Sequence, residues 1–174
     1  MNLKKMMAAT AAAAAVTFGA NAQANSTLAE CLSEPLVEFD GTVVDAAIAT
    51  PELSTLVDAV VAAGLVDALN DAENITVYAP TNDAFGAIPG DILNAALADT
   101  DILTGILTYH VSPGKTDPRR YVTALRRPTL QGQNVFYNRA GQHARVNSAA
   151  VTCQGVRTSN GLVWIIDSVL MPQF

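Results

Sequence analysis

The sequence predicts an α+β domain behind an amino-terminal export signal. Three observations carry that expectation: a leader whose composition breaks off after residue 24, helical periodicity concentrated before Pro113-Gly114, and β-rich segments concentrated after it. Helices set ahead of strands in this way fit an α+β architecture better than an alternating parallel sheet.

The leader begins with Lys4 and Lys5, continues through an apolar run from Met6 to Phe18, and ends in Ala22-Gln23-Ala24, the small-x-small pattern that signal peptidases cut. Residues 1–24 therefore read as a signal peptide, and the mature chain should start near Asn25 in a secreted or periplasmic location. The run is too short and Ala-rich for a transmembrane helix, which needs about 20 strongly apolar residues, and no second run follows, so no membrane insertion is expected. Leu28-Ala29-Glu30-Cys31 superficially resembles the box before a lipidated cysteine. Glu30 and the polar Asn21, Gln23, Asn25 and Ser26 argue against that reading.

The remaining chain, about 150 residues, is long enough for one domain with a real core. Its two cysteines, Cys31 and Cys153, lie near opposite ends of that chain in an oxidising compartment, so a disulfide is the natural reading and two buried free thiols the alternative. No CxxC spacing or His-Cys cluster points to a metal or a redox cofactor, and none is expected.

In chain order, Thr42 to Ala49 is a short helical candidate. Thr50 then reads as a cap before Pro51 at a first helical position. Leu53, Leu56, Val57, Val60 and Val61 recur at helical spacing until Gly64. Ile75 to Tyr78 is β-rich and is expected to stop at Ala79-Pro80. Helical spacing returns after Pro89, with Ile92, Leu93, Ala96 and Leu97 on one face. A second helix carries Ile102, Leu103, Ile106 and Leu107, capped by Asp99 or Thr100. Pro113-Gly114 is a turn. Strand candidates follow at Thr129-Leu130, Asn134 to Tyr137, His143 to Val146, Ala149 to Thr152, Val156 to Thr158 and Leu162 to Val169. Asn138 to Gly141 and Asn160-Gly161 read as the hairpin turns.

Charge is unevenly placed. Fourteen acids, Glu30 to Asp101, and no Lys or Arg fall between Asn25 and Gly114; after it come Lys115, Arg119, Arg120, Arg126, Arg127, Arg139, Arg145 and Arg157 against only Asp117 and Asp167. With a formal net charge of −6 the chain is a poor candidate for nucleic acid. Lys115, Arg119, Arg120, Arg126 and Arg127 are expected to form a local face for an anionic partner; the alternative is that the two halves fold together and neutralise.

Three segments carry a resemblance: Thr76-Val77-Tyr78-Ala79-Pro80-Thr81-Asn82-Asp83-Ala84-Phe85, then Tyr109-His110, then Asn160-Gly161-Leu162-Val163-Trp164-Ile165-Ile166-Asp167-Ser168-Val169-Leu170. Together they resemble the two signature boxes and the central Tyr-His pair of the fasciclin domain. The match spans 41–172, leaving 25–40 as a leading segment that carries Cys31. The resemblance implies a β-wedge or sandwich with helices packed against it, an extracellular setting, and adhesion or matrix contact. In animal relatives an Asp-Ile segment and the Tyr-His region are linked to integrin contact, and the matching positions here are Asp91, Ile92, Leu93, Tyr109 and His110. Trp164 stands where family members often carry His, so no role of that His transfers.

No catalytic residues are expected. The chain lacks a G-x-S-x-G elbow, an H-E-x-x-H helix and a P-loop, and Asp99-Thr100-Asp101 lacks the glycine and glutamate of a calcium loop. Thr81 or Asn82 should cap the helical turn that swings Phe85 into the core, Asp167 should accept hydrogen bonds, and His143 should be exposed. His110 follows the Leu103, Ile106, Leu107 stripe and reads as a satisfied histidine at the edge of the core. The leading function is an exported non-enzymatic interaction module for adhesion or envelope contact through a protein or polysaccharide. The alternative is an extracytoplasmic hydrolase or small-molecule binder with a cleft near His110. Converging polar side chains in a pocket would favour the alternative, and an exposed apolar or charged surface patch the first.

Overall fold

Thr42 starts the first well-anchored helix by a reciprocal cap, as its spacing to Asp45 dictates. The computed structural model describes residues 28–120, 125–141 and 143–173; the expected signal peptide lies outside them. Ahead of Thr42 lie α1 (Leu28–Ser33) and the short β1 (Val37–Glu38). The Thr42 hydroxyl accepts from the Asp45 N–H while the Asp45 carboxylate accepts from the Thr42 N–H, which opens α2 (Val43–Ile48). Thr50 does not cap as expected. Its hydroxyl donates back to the Ala46 carbonyl at 2.8 Å, and Pro51–Leu53 forms a single 3₁₀ turn before α3 (Ser54–Ala62). The orphan donors at the start of α3 are met from elsewhere: the Asn82 side chain accepts from the Thr55 N–H at 2.9 Å and donates to the Pro51 carbonyl at 3.1 Å. Gly64, at φ +66°, terminates α3 in the left-handed conformation, and α4 (Val66–Asp71) follows.

Thr81 caps α5 (Asn82–Gly86), seating Phe85 in the core. After α6 (Gly90–Ala98), the Asp99 carboxylate accepts from the Asp101 and Ile102 N–H groups and opens α7 (Thr100–Tyr109). The apolar face of α6 is rotated from the expected one: Ala96 is buried, while Ile92 and Leu97 are exposed.

Among the described residues eight strands form one mixed sheet: β1, β2 (Ile75–Pro80), β3 (Val111–Pro113), β4 (Leu125–Pro128), β5 (Asn134–Ala140), β6 (His143–Val146), β7 (Ala149–Arg157) and β8 (Gly161–Ile166). Their order is β3-β2-β8-β7-β6-β5-β4, with β1 beside β7; β2–β8 and β1–β7 are parallel and the other pairs antiparallel. The Leu130 N–H donates to the Val111 carbonyl at 2.8 Å, so the two ends of the sheet nearly meet. The fold is α+β.

Several boundaries differ from expectation, each for a local reason. β2 continues through Pro80: Ile75 and Thr81 donate towards β8 and Tyr78 towards His110, so the missing Pro80 N–H falls on the side where β3 has already ended. The segments around Ala149 and Val156 are one strand, irregular between Val151 and Gly155. Thr129 belongs to a turn closed by the Gln133 carbonyl, and β8 ends at Ile166. The last hairpin turns on Ser159-Asn160, not Asn160-Gly161, since the Thr158 N–H bonds the Gly161 carbonyl at 3.0 Å. Gly161 is needed for closeness: a Cβ there would stand 2.5 Å from the Ile75 carbonyl oxygen of the neighbouring parallel strand.

Alternation along β2 and β8 builds two cores. Ile75, Ala79, Val163 and Ile165 pack with Leu53, Leu56, Phe85 and Leu107 of the helical layer. Tyr78, Leu162, Trp164 and Ile166 point the other way, into the wedge closed by Val135, Tyr137, Val146 and Val151. Every residue of β8 is buried, as a strand covered on both faces requires.

Candidate functional site

His110 ends α7, and its ring is consumed by the fold. Nε2 accepts from the Leu170 N–H at 2.9 Å, which fixes the proton on Nδ1, and Nδ1 donates to the Ile106 carbonyl at 2.8 Å. The side chain is 2% exposed. Burial drives its pKa down to about 4, against the opposing pull of the Ile106 carbonyl. Tyr109 is also buried, donating to the Asn134 carbonyl at 3.0 Å and thereby tying α7 to β5. Neither side chain of the pair is exposed. Of the other resemblance-derived positions, Asp91 and Ile92 are exposed on α6 and Leu93 is half-buried.

The state of His110 has a measurable consequence. A histidine held neutral with a folded pKa near 4 and an unfolded value of 6.5 takes up its proton earlier in the unfolded chain. Its contribution is therefore complete above pH 6.5 and is lost as pH falls from 6.5 towards 4, at about 1.4 kcal/mol per pH unit and roughly 3 kcal/mol in all. Denaturant midpoints measured from pH 7.5 to 5 should fall for the native chain and be nearly flat for His110→Gln. Equal slopes in the two proteins would show that His110 is not the group.

The expected anion-binding face is redistributed. Arg119 is 2% exposed and turned inward: it forms a two-point ion pair with Asp117, donates to the Cys31, Glu34 and Cys153 carbonyls, and lies 4.7 Å over the Trp164 ring. Arg127 pairs in register with the fully buried Val135, so strand alternation turns it inward as well. Lys115, Arg120 and Arg126 remain exposed, Arg120 with an ion pair to Asp117 at 3.2 Å. Only the charge count was readable beforehand; direction depended on strand phase and on which carbonyls needed a donor.

Cys31 and Cys153 form a disulfide, with Cα atoms 4.8 Å apart. Asp167 lies just past β8, exposed, accepting from the Ala150 N–H at 2.8 Å and the Ser168 hydroxyl at 3.0 Å. His143 is exposed on β6. Among the described residues no group of three or more His, Cys, Asp or Glu side chains is placed to hold a metal ion, and no helix is long and apolar enough to cross a membrane.

Sequence reasoning missed Asn160. Its carbonyl oxygen accepts from the Val43 N–H at 2.9 Å, and its amide donates to the Leu69 and Ala72 carbonyls at 2.8 and 3.0 Å, clamping α2 and α4 onto the last hairpin. A cavity of about 180 Å³ lies between α2, α3, α4 and α7, walled by aliphatic side chains and bordered by His110. The cleft expected near His110 exists, but without converging polar groups.

The Fasciclin domain family model matches residues 51–172. The chain belongs to the fasciclin family. The match starts after α2, yet Val43, Val44 and Ala46 of α2 lie in the same core as the fasciclin domain's Leu53 and Phe85. Among curated relatives, the immunogenic protein MPB70 of Mycobacterium bovis is 43% identical over 132 residues, covering 73% of this chain and 67% of the relative. The cell surface glycolipoprotein MPT83 of Mycobacterium tuberculosis is 41% identical over 135 residues, covering 75% of this chain and 60% of the relative. The FAS1 domain pair of the insect cell adhesion molecule fasciclin I matches with a TM-score of 0.55 at 21% identity, over 68% of this chain and 45% of that one. In this fasciclin domain Trp164 fills the wedge: its indole N–H donates to the Thr116 carbonyl at 3.0 Å and its face receives Arg119.

Proposed function

We propose that this chain is an exported, non-enzymatic contact module, beginning as a folded domain at Gly41 and acting at a cell surface, envelope or matrix on a protein or polysaccharide partner. Relatives named as a cell surface glycolipoprotein and a cell adhesion molecule support the setting. The observation that carries the reading is the contrast between spent and free polar groups. His110, Asp167, Arg119 and Asn160 are taken up by the chain's own backbone, while Lys115 and Arg126 face solvent on a protein of net negative charge.

An anionic polysaccharide is the partner chemistry these cations fit, with Arg120 contributing beside Asp117. The exported protein should be retained on immobilised heparin at low salt and released as salt rises past physiological strength, where the screening length is about 8 Å. Reversing Lys115 and Arg126 together to Glu should weaken retention roughly tenfold, as expected from two exposed ionic contacts turned repulsive. Unchanged retention of the double variant would rule this face out.

A further inference from the structure

The apolar cavity has features that specify an occupant, and they stand apart from the contact surface. Its volume of about 180 Å³ exceeds the roughly 150 Å³ at which an engineered apolar cavity stays dry and accepts benzene. Only two side chains in its wall are polar, and neither has a free donor: the Thr108 hydroxyl donates to the Thr104 carbonyl at 2.7 Å, and both His110 nitrogens are bonded. A polar ligand, or water with its need for two to four partners, would find among these side chains no donor and only the Thr108 oxygen as an acceptor. The wall holds no Phe, Tyr or Trp ring on which a flat ligand could stack.

The opening continues this character outward. Ile48 is 62% exposed, Val61 61% and Leu130 50%, and all three line the same cavity. Its cover, α4, has no buried residue at all although Val66 and Leu69 line the space, and it sits between the left-handed positions Gly64 and Asn74. Asn160 holds it by the Leu69 and Ala72 carbonyls. Charge selects further. The helices around the opening come from the stretch between Asn25 and Gly114 that has no Lys or Arg, and Asp58 and Asp67 are exposed on α3 and α4. An anionic headgroup beside these two helices would meet repulsion.

We infer that this cavity binds one aliphatic chain of an uncharged lipid, with the chain among Val57, Val60, Leu65 and Leu69 and the head outside, beyond Ile48 and Val61. A straight or branched alkyl chain conforms to such a wall, and each buried methylene adds affinity without a polar anchor.

The test is a methyl-resolved NMR titration of the exported protein with a series of primary alcohols from pentanol to decanol. Saturable shifts of the Val57, Val60 and Leu69 methyls are expected, with affinity rising about fourfold per added methylene until the cavity is full. Decanoate at pH 7.5 should bind at least tenfold more weakly than decanol, and naphthalene should not saturate. Val57→Phe fills the space from a half-buried position and should weaken octanol binding at least tenfold while the melting temperature holds or rises. If that variant fails to fold, Ala68→Phe tests the same point from an exposed position on α4. Non-saturating shifts, the absence of chain-length dependence, decanoate binding as tightly as decanol, or unimpaired octanol binding by the filled variant would each overturn the inference. So would methyl shifts that follow protein concentration without alcohol, which would make the occupant a second copy of the chain.

Discussion

Replacing Arg119 by methionine should lower the stability of the domain by about 3–5 kcal/mol, the cost of removing one partner from a buried charge network. The side chain closes a junction between distant parts of the chain. One end of its guanidinium grips both Asp117 oxygens at 3.0 and 2.9 Å, while Nη1 supplies the Cys31, Glu34 and Cys153 carbonyls. Methionine has similar bulk but no donor, so three carbonyls lose their side-chain donor together and the Asp117 carboxylate keeps only Arg120 and the backbone N–H of residue 119. Arg119→Lys should fail nearly as badly, because a point-like ammonium cannot reproduce the fork or the stacking on Trp164. Urea unfolding reads the effect as a shifted midpoint at constant slope. A methionine variant within 1 kcal/mol of the native chain would mean that the network is dispensable.

Reducing the Cys31–Cys153 disulfide is the second large effect. The bridge spans a sequence separation of 122, for which chain entropy sets an upper guide of roughly 5 kcal/mol. Neither cysteine belongs to the two hydrophobic clusters that fill the helical layer and the wedge. Reduction should therefore release α1, lower the melting temperature substantially and leave the fold intact. Because Arg119 binds the carbonyls of both cysteines, the two losses should not add: in a double-mutant cycle, Cys31→Ser with Cys153→Ser should cost less when Arg119 is already methionine. Thiol titration of the unreduced protein under denaturant checks the bridge directly, since two reactive thiols per chain would contradict it. Complete unfolding on mild reduction would show that α1 carries more than the clusters indicate.

Features whose cause is local were legible in the sequence. The short helix after Thr42, the Asp99 cap, the Gly64 stop and the entry of Phe85 behind Thr81 each depend on residues a few positions apart. What depends on distant partners was not. β3 is three residues long and exists because β2 is beside it. Asn160 looked like half of a turn signal, but the groups it satisfies belong to Val43, Leu69 and Ala72. Arg119 and Arg126 are chemically alike, and only the packing of Trp164 and the phase of β4 sends one inside and leaves the other out. The cavity near His110 was anticipated in place and not in character, because spacing along α7 cannot reveal what α2, α3 and α4 bring to the same volume.

The position of β8 has a consequence for how the molecule is assembled. It lies between β2 and β7, it is the last of the eight strands along the chain, and its residues belong to both cores. A chain emerging in order thus acquires β2 well before β8, and β7 only a tight turn before it. Until residues 161–166 dock, β2 and β7 each present an open edge, and the helical layer and the wedge have no common wall. The parallel β2–β8 pairing joins residues far apart in the chain, a contact whose loop closure slows folding. The hazardous interval is therefore the time before the final hairpin closes, when two uncovered apolar edges are open to pairing with other chains.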